Sequence, residues 1–126
     1  MGVHFVNISQ LSEGVILLKL VKKSVLGEIE MKYLSEEILK LSQDKPFHLI
    51  SDITENTSEV TKEGRMYLEK FQKETPNYLS NSIILNSIWK SILLGAFLKI
   101  IKMPIPTKSF NTINGALNWI NSFKVT

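Results

Sequence analysis

Hydrophobic and polar positions change period several times along the chain, and each change marks an element. Val3–Ile8 and Val15–Val21 are β-rich runs parted by Ser9, Gln10 and the Ser12-Glu13-Gly14 cluster, the polar punctuation of an antiparallel hairpin. From Gly27 to Gln43 the period lengthens. Met31, Leu34, Ile38 and Leu41 recur at helical spacing, while Glu30, Lys32, Glu36, Glu37 and Lys40 occupy the rest of the surface. That pattern predicts an amphipathic helix with one buried side. Phe47–Ile53, after Asp44-Lys45-Pro46, is a short apolar run that predicts a central strand covered on both faces.

Helical spacing returns over Thr61–Lys73, where Gly64, Tyr67, Leu68 and Phe71 share a face and Thr61 is placed to cap the first turn. Pro76 ends that helix. Ser82–Leu85 predicts the next buried strand, and Ser87 opens a strongly apolar helix to about Ile101, stopped by Met103-Pro104-Ile105-Pro106. Thr107–Phe110 is the last strand. A final helix, capped by Asn111 or Thr112, turns Ile113, Ala116, Leu117, Ile120 and Phe123 inward and Asn114, Asn118 and Asn121 outward. The expected order is ββαβαβαβα in a single domain over residues 1–126. Strands that alternate with single helices pair in parallel, so an α/β fold is expected, with a mainly parallel sheet of about five strands, an antiparallel N-terminal edge hairpin and four helices.

Composition narrows the function classes. With 126 residues, 44% of them hydrophobic, one core suffices without disulfide or metal staples. The absence of Cys excludes thiolate metal sites, Fe–S ligation and thiol nucleophiles. Residues 1–74 carry all 12 acids, whereas residues 75–126 carry Lys90, Lys99, Lys102, Lys108 and Lys124 and no acid. This cationic half attracts anionic surfaces by its field, but five dispersed lysines are too sparse for a nucleic-acid footprint, and no nucleic-acid partner is expected. The start MGVHFVNISQ has neither a basic segment nor a long apolar one, so a cytoplasmic location is expected, with peripheral membrane contact as an addition.

No reaction chemistry assembles from the motifs. His4 and His48 are the only histidines, and without a Gly-x-Ser-x-Gly elbow both read as structural. A small hydrolase with Asp52 as base lacks a nucleophile and a partner histidine. The six glycines form no phosphate-binding fingerprint, and neither a metal nor any other cofactor is expected. The richest polar constellation is Ser51, Asp52, Thr54, Glu55, Asn56, Thr57 and Ser58 at the end of the central strand, where open α/β sheets bind ligands. Side chains of these types also satisfy backbone groups in loops and cap helices, and that role is the stronger expectation.

The helix 87–101 is the most unusual stretch. Trp89, Ile92, Leu93, Ala96, Phe97 and Ile100 form a wide inward face, whereas Leu94 and Leu98 fall opposite, among Ser87, Lys90, Ser91 and Lys102. Its apolar run is far shorter than the roughly 20 residues that span a bilayer. The expected contact surface is therefore Lys90, Leu94, Leu98, Ile101, Lys102 and Met103, which suits an apolar ligand, a lipid or membrane surface, a protein partner or a homodimer seam.

Three features together resemble the STAS/SpoIIAA-like superfamily, and more narrowly stand-alone bacterial SpoIIAA-like proteins. They are the element order, the strand end Ser51-Asp52-Ile53-Thr54 followed by a loop and the helix Thr61-Lys62-Glu63-Gly64-Arg65-Met66-Tyr67-Leu68, and the ending Lys102–Phe110 before Ala116-Leu117-Asn118-Trp119-Ile120. The resemblance implies a non-catalytic regulatory or binding domain. Some relatives resemble lipid-associated or apolar-ligand-binding domains. Others are anti-anti-sigma switches phosphorylated on a Ser of an Asp-Ser-Ser/Ala-Gly turn; here that place reads Val60-Thr61-Lys62-Glu63-Gly64, without Asp-Ser, so Thr61 and Ser58 are the hydroxyls such a switch would use.

Overall fold

The computed structural model describes residues 5–55, 58–87 and 103–123. Its first two strands, β1 (Val6–Ser12) and β2 (Val15–Leu20), form the antiparallel hairpin, with Val6 opposite Leu20 and Ser12 opposite Val15. The turn is tighter than the polar cluster suggested. β1 runs on through Ser9 and Gln10, and Gly14, at φ +75°, supplies the left-handed step that reverses the chain. A short strand β3 (Ser24–Leu26) then leads into α1 (Glu28–Ser42). Next come β4 (Phe47–Asp52), the short β5 (Ser58–Val60), α2 (Lys62–Glu74), β6 (Tyr78–Ile84), β7 (Thr107–Phe110) and α3 (Ile113–Ser122).

The main sheet has the order β1-β2-β4-β6-β7, antiparallel at the hairpin and parallel elsewhere. The α/β architecture and the five strands expected from the pattern are present. Three helices lie among the described residues, and the fourth, expected over 87–101, lies outside them. β4 is the central strand and alternates its side chains between two cores. Phe47 and Leu49 join Ile16, Leu18 and Leu20 beneath α1 and α2, whereas Ile50 joins Val15, Ile84, Ala116 and Ile120 beneath α3.

Two elements escaped the sequence pattern. β3 and β5, three residues each, pair in parallel as a separate two-stranded sheet, Ser24 opposite Ser58 and Leu26 opposite Val60. This ladder ties together the starts of the two helices on one face. The Thr61 N–H donates to the Leu26 carbonyl (3.1 Å), so Gly27 and Thr61, the residues that open α1 and α2, lie beside one another. The Glu30 carboxylate accepts from the Gly27 N–H (2.9 Å), and the Thr61 hydroxyl accepts from the Gly64 N–H (3.0 Å). β6 also starts earlier than expected, at Tyr78 rather than Ser82, because Ser80 and Asn81 are buried polar residues that read as loop. At the far end Thr112, not Asn111, caps α3, and Phe123, at the C-cap, packs its ring on buried His48 (centroids 5.5 Å apart) and Trp119 (5.0 Å) while staying 42% exposed.

Candidate functional site: a cavity between the sheet and two helices

On the α1/α2 face the inward side chains of β4 shrink along the strand, from Phe47 to Leu49 to Ser51. The layer thins toward the C-terminal end of the parallel strands, and a cavity of about 110 Å³ lies there. Leu18 and Leu20 of β2, Leu49 and Ser51 of β4 and Asn81 of β6 form its floor; Met31, Leu34 and Ile38 of α1 and Tyr67, Leu68 and Phe71 of α2 form its roof. Among the described residues, no Lys, Arg, His, Asp or Glu lines it.

Its few polar groups are mostly spoken for. The Ser35 hydroxyl donates to the Lys32 carbonyl (2.8 Å) and lies 3.5 Å from the Tyr67 hydroxyl. The Ser51 hydroxyl donates to Asn81 Oδ1 at 3.4 Å, a long contact. Asn81 is only 6% exposed, and its side-chain NH2 meets no acceptor among the described residues.

Tyr78, at the inner end of the cavity, is stacked on Phe47 (ring centroids 5.0 Å apart), and neither its hydroxyl nor the amide of buried Gln72 has a hydrogen-bond partner among the described residues. Burial pushes the Tyr78 phenol above its ordinary value of 10.0, against a smaller opposing influence from Gln72. Below pH 10 the folded and unfolded chains both keep this proton. Above it the unfolded chain loses the proton first, so stability falls as pH rises, by about 1.4 kcal/mol per pH unit. Tyr78→Phe is expected to abolish that component of alkaline unfolding. Urea midpoints of the two proteins between pH 9 and 11 check this, and parallel curves would contradict it.

At the strand end expected to be polar, the described side chains bond within their own loop and to its neighbours. Asp52 is buried, and its Oδ1 accepts from both the Thr54 N–H (2.9 Å) and the Thr54 hydroxyl (2.6 Å), so the carboxylate is held by its own loop. The Thr54 carbonyl in turn accepts from the Asn86 side chain (2.7 Å), and Glu55 pairs with Lys19 (3.2 Å). Ser58 pairs through its backbone in β5, and Thr61 caps α2. On the opposite face of β4, His48 is buried with Nδ1 2.6 Å from the Ser80 hydroxyl.

A family model described as "Domain of unknown function (DUF7793)" matches residues 9–124, nearly the whole chain. The chain belongs to the DUF7793 family. No curated protein matches it. Among solved structures, this DUF7793 chain is similar to an uncharacterized protein of the DUF3478 family from Shewanella loihica PV-4, with a SpoIIAA-like fold. The match covers 90% of each chain with a TM-score of 0.61 and 16% identity. That likeness is one of fold, and it establishes the SpoIIAA/STAS-like architecture that the sequence resembled.

Of the surface expected on the apolar helix, Met103 is half-buried and Lys90, Leu94, Leu98, Ile101 and Lys102 lie outside the described residues. No described helix of this DUF7793 chain is long and apolar enough to cross a membrane. Sequence reasoning passed over Asn81 and Tyr67 as site residues. The available signal for Asn81 was its phase: β4 and β6 pair Leu49 with Asn81, so an amide stands where the strand pattern calls for an apolar side chain.

Proposed function

We propose that this protein is a non-catalytic binding module that takes a small apolar ligand, or one segment of a lipid chain, between its sheet and the helices α1 and α2. The cavity carries this reading. Its volume of about 110 Å³ approaches the ~150 Å³ at which an apolar engineered cavity stays dry and binds benzene. It lies toward the C-terminal strand ends, the usual ligand position of parallel α/β sheets. Half-buried Ile53, Tyr67 and Leu68 belong to its lining, and they give a ligand a route in that leaves the second core beneath α3 untouched. A regulatory domain of this kind couples occupancy to the packing of α1 and α2, whose starts are joined through the β3–β5 ladder.

Cyclopentane is a probe of suitable size. Saturable amide shifts are expected at Leu34, Leu49 and Phe71, with a rise in Tm, and Leu34→Phe or Leu49→Phe should abolish both by filling the space. Absence of saturable shifts in the wild type, or the same shifts in folded filled variants, would overturn the reading.

A further inference from the structure

We infer that the ligand of this cavity is uncharged and presents a hydrogen-bond acceptor, such as a carbonyl oxygen, to the side-chain NH2 of Asn81. The inference rests on the apolar-ligand reading above and narrows its chemistry.

The described lining carries no charge. A carboxylate or ammonium brought into this space finds no opposite charge among the described residues, and burying an unpaired ion costs far more than the contacts return. The polar selectivity comes from one residue. Asn81 is held on β6 by the backbone bond from its N–H to the Pro106 carbonyl (3.0 Å), so its position is set by the sheet rather than by a loop. Its carbonyl end receives the Ser51 hydroxyl, while its NH2 end is without an acceptor among the described residues in a side chain that is nine-tenths buried. That NH2 stays accessible from the cavity, unlike the Tyr78 hydroxyl, so a ligand acceptor that reaches it gains one directional hydrogen bond.

The other polar side chains of the lining do not compete. Ser35 and Tyr67 face each other, with Ser35 also bonded to the Lys32 carbonyl, and the buried Tyr78 hydroxyl is sealed from solvent by its neighbours. A ligand of about five or six heavy atoms therefore has an apolar body against Leu18, Leu34 and Leu49 and one directional contact at the strand end.

The test uses four probes of similar size: cyclopentane, cyclopentanone as an acceptor, pyrrole as a donor, and pentanoate as an anion. Each is titrated by amide NMR into wild type, Asn81→Leu, Asn81→Ala and Ser51→Ala. In wild type, cyclopentanone should shift the Asn81 side-chain NH2 resonances, which cyclopentane should leave in place. Asn81→Leu should weaken cyclopentanone relative to cyclopentane by about fivefold, the size of one hydrogen bond, and Ser51→Ala should keep the wild-type ratio. Asn81→Ala reads the same ratio should the leucine variant fail to fold. Pentanoate should bind at least about tenfold more weakly than the ketone.

If cyclopentane and cyclopentanone both bind but the ratio is unchanged in the Asn81 variants, this inference falls while the cavity reading stands. Pentanoate binding as tightly as the ketone, or pyrrole rather than the ketone losing affinity in those variants, overturns it equally. If no probe perturbs the lining, the apolar-ligand reading itself fails and takes this inference with it.

Discussion

Gly64→Ala is expected to destabilise the protein by about 3 kcal/mol or more, although the same change in an ordinary exposed helix stabilises by about 0.5–1 kcal/mol. The reversal comes from a backbone contact. Gly64 lies in the first turn of α2, pressed against the end of β3, and a Cβ built on it would overlap the Leu26 carbonyl oxygen. That oxygen cannot simply yield, because it accepts the Thr61 N–H and closes the β3–β5 ladder. Accommodating one methyl group therefore means moving the start of α2 away from the start of α1, with loss of the ladder or of the Thr61 cap. Gly115→Ala is the control. Its added Cβ would meet Thr112 Oγ1 at 3.3 Å and Phe110 Cδ1 at 3.4 Å, side-chain contacts that small shifts relieve, so its stability should stay near that of the wild type. Denaturant midpoints decide the stability claim, and hydrogen exchange at the Thr61 amide shows whether the ladder has opened. A Gly64→Ala protein as stable as the wild type would mean that α2 does not sit against β3.

What could be read from the chain follows from which features repeat. Met31, Leu34 and Ile38 repeat over a full helix and are buried together, and Thr61 stands where a cap must stand, so both were legible. The same holds for Phe47–Asp52, whose run of apolar residues on both faces marks a strand between two layers. β3 and β5 were not legible, because three residues show no period and their pairing is set by the helices they join. Nor was the true start of β6. Ser80 and Asn81 have the polarity of a loop, yet both are buried, and Ser80 is there as a partner of His48. The cavity is illegible for a deeper reason. It is a deficit of side-chain volume created when short residues from different elements meet, and no single segment records it.

The largest consequence of that deficit concerns neighbouring residues on the central strand. Leu49 and Ile50 are both buried, 4% and 0% exposed, and truncating either to Ala is expected to cost about 2–5 kcal/mol. Ile50 belongs at the upper end of that range. It is packed with Val15, Ile84, Ala116 and Ile120 in the core beneath α3, so its removal strips contacts from every side. Leu49 already borders open space, and its removal extends the existing cavity of about 110 Å³ instead of opening an isolated one. The two variants should therefore part company when benzene is added. The enlarged cavity of Leu49→Ala accepts the ring and should regain up to about 2.7 kcal/mol at a ligand concentration near 100 Kd. The gap left by Ile50→Ala is a few methyl groups in volume, too small for the ring, and its Tm should not respond. Thermal melts of both variants with and without benzene measure the difference. Equal stabilisation of the two, or none in Leu49→Ala, would show that the space beside Leu49 collapses instead of admitting a ligand.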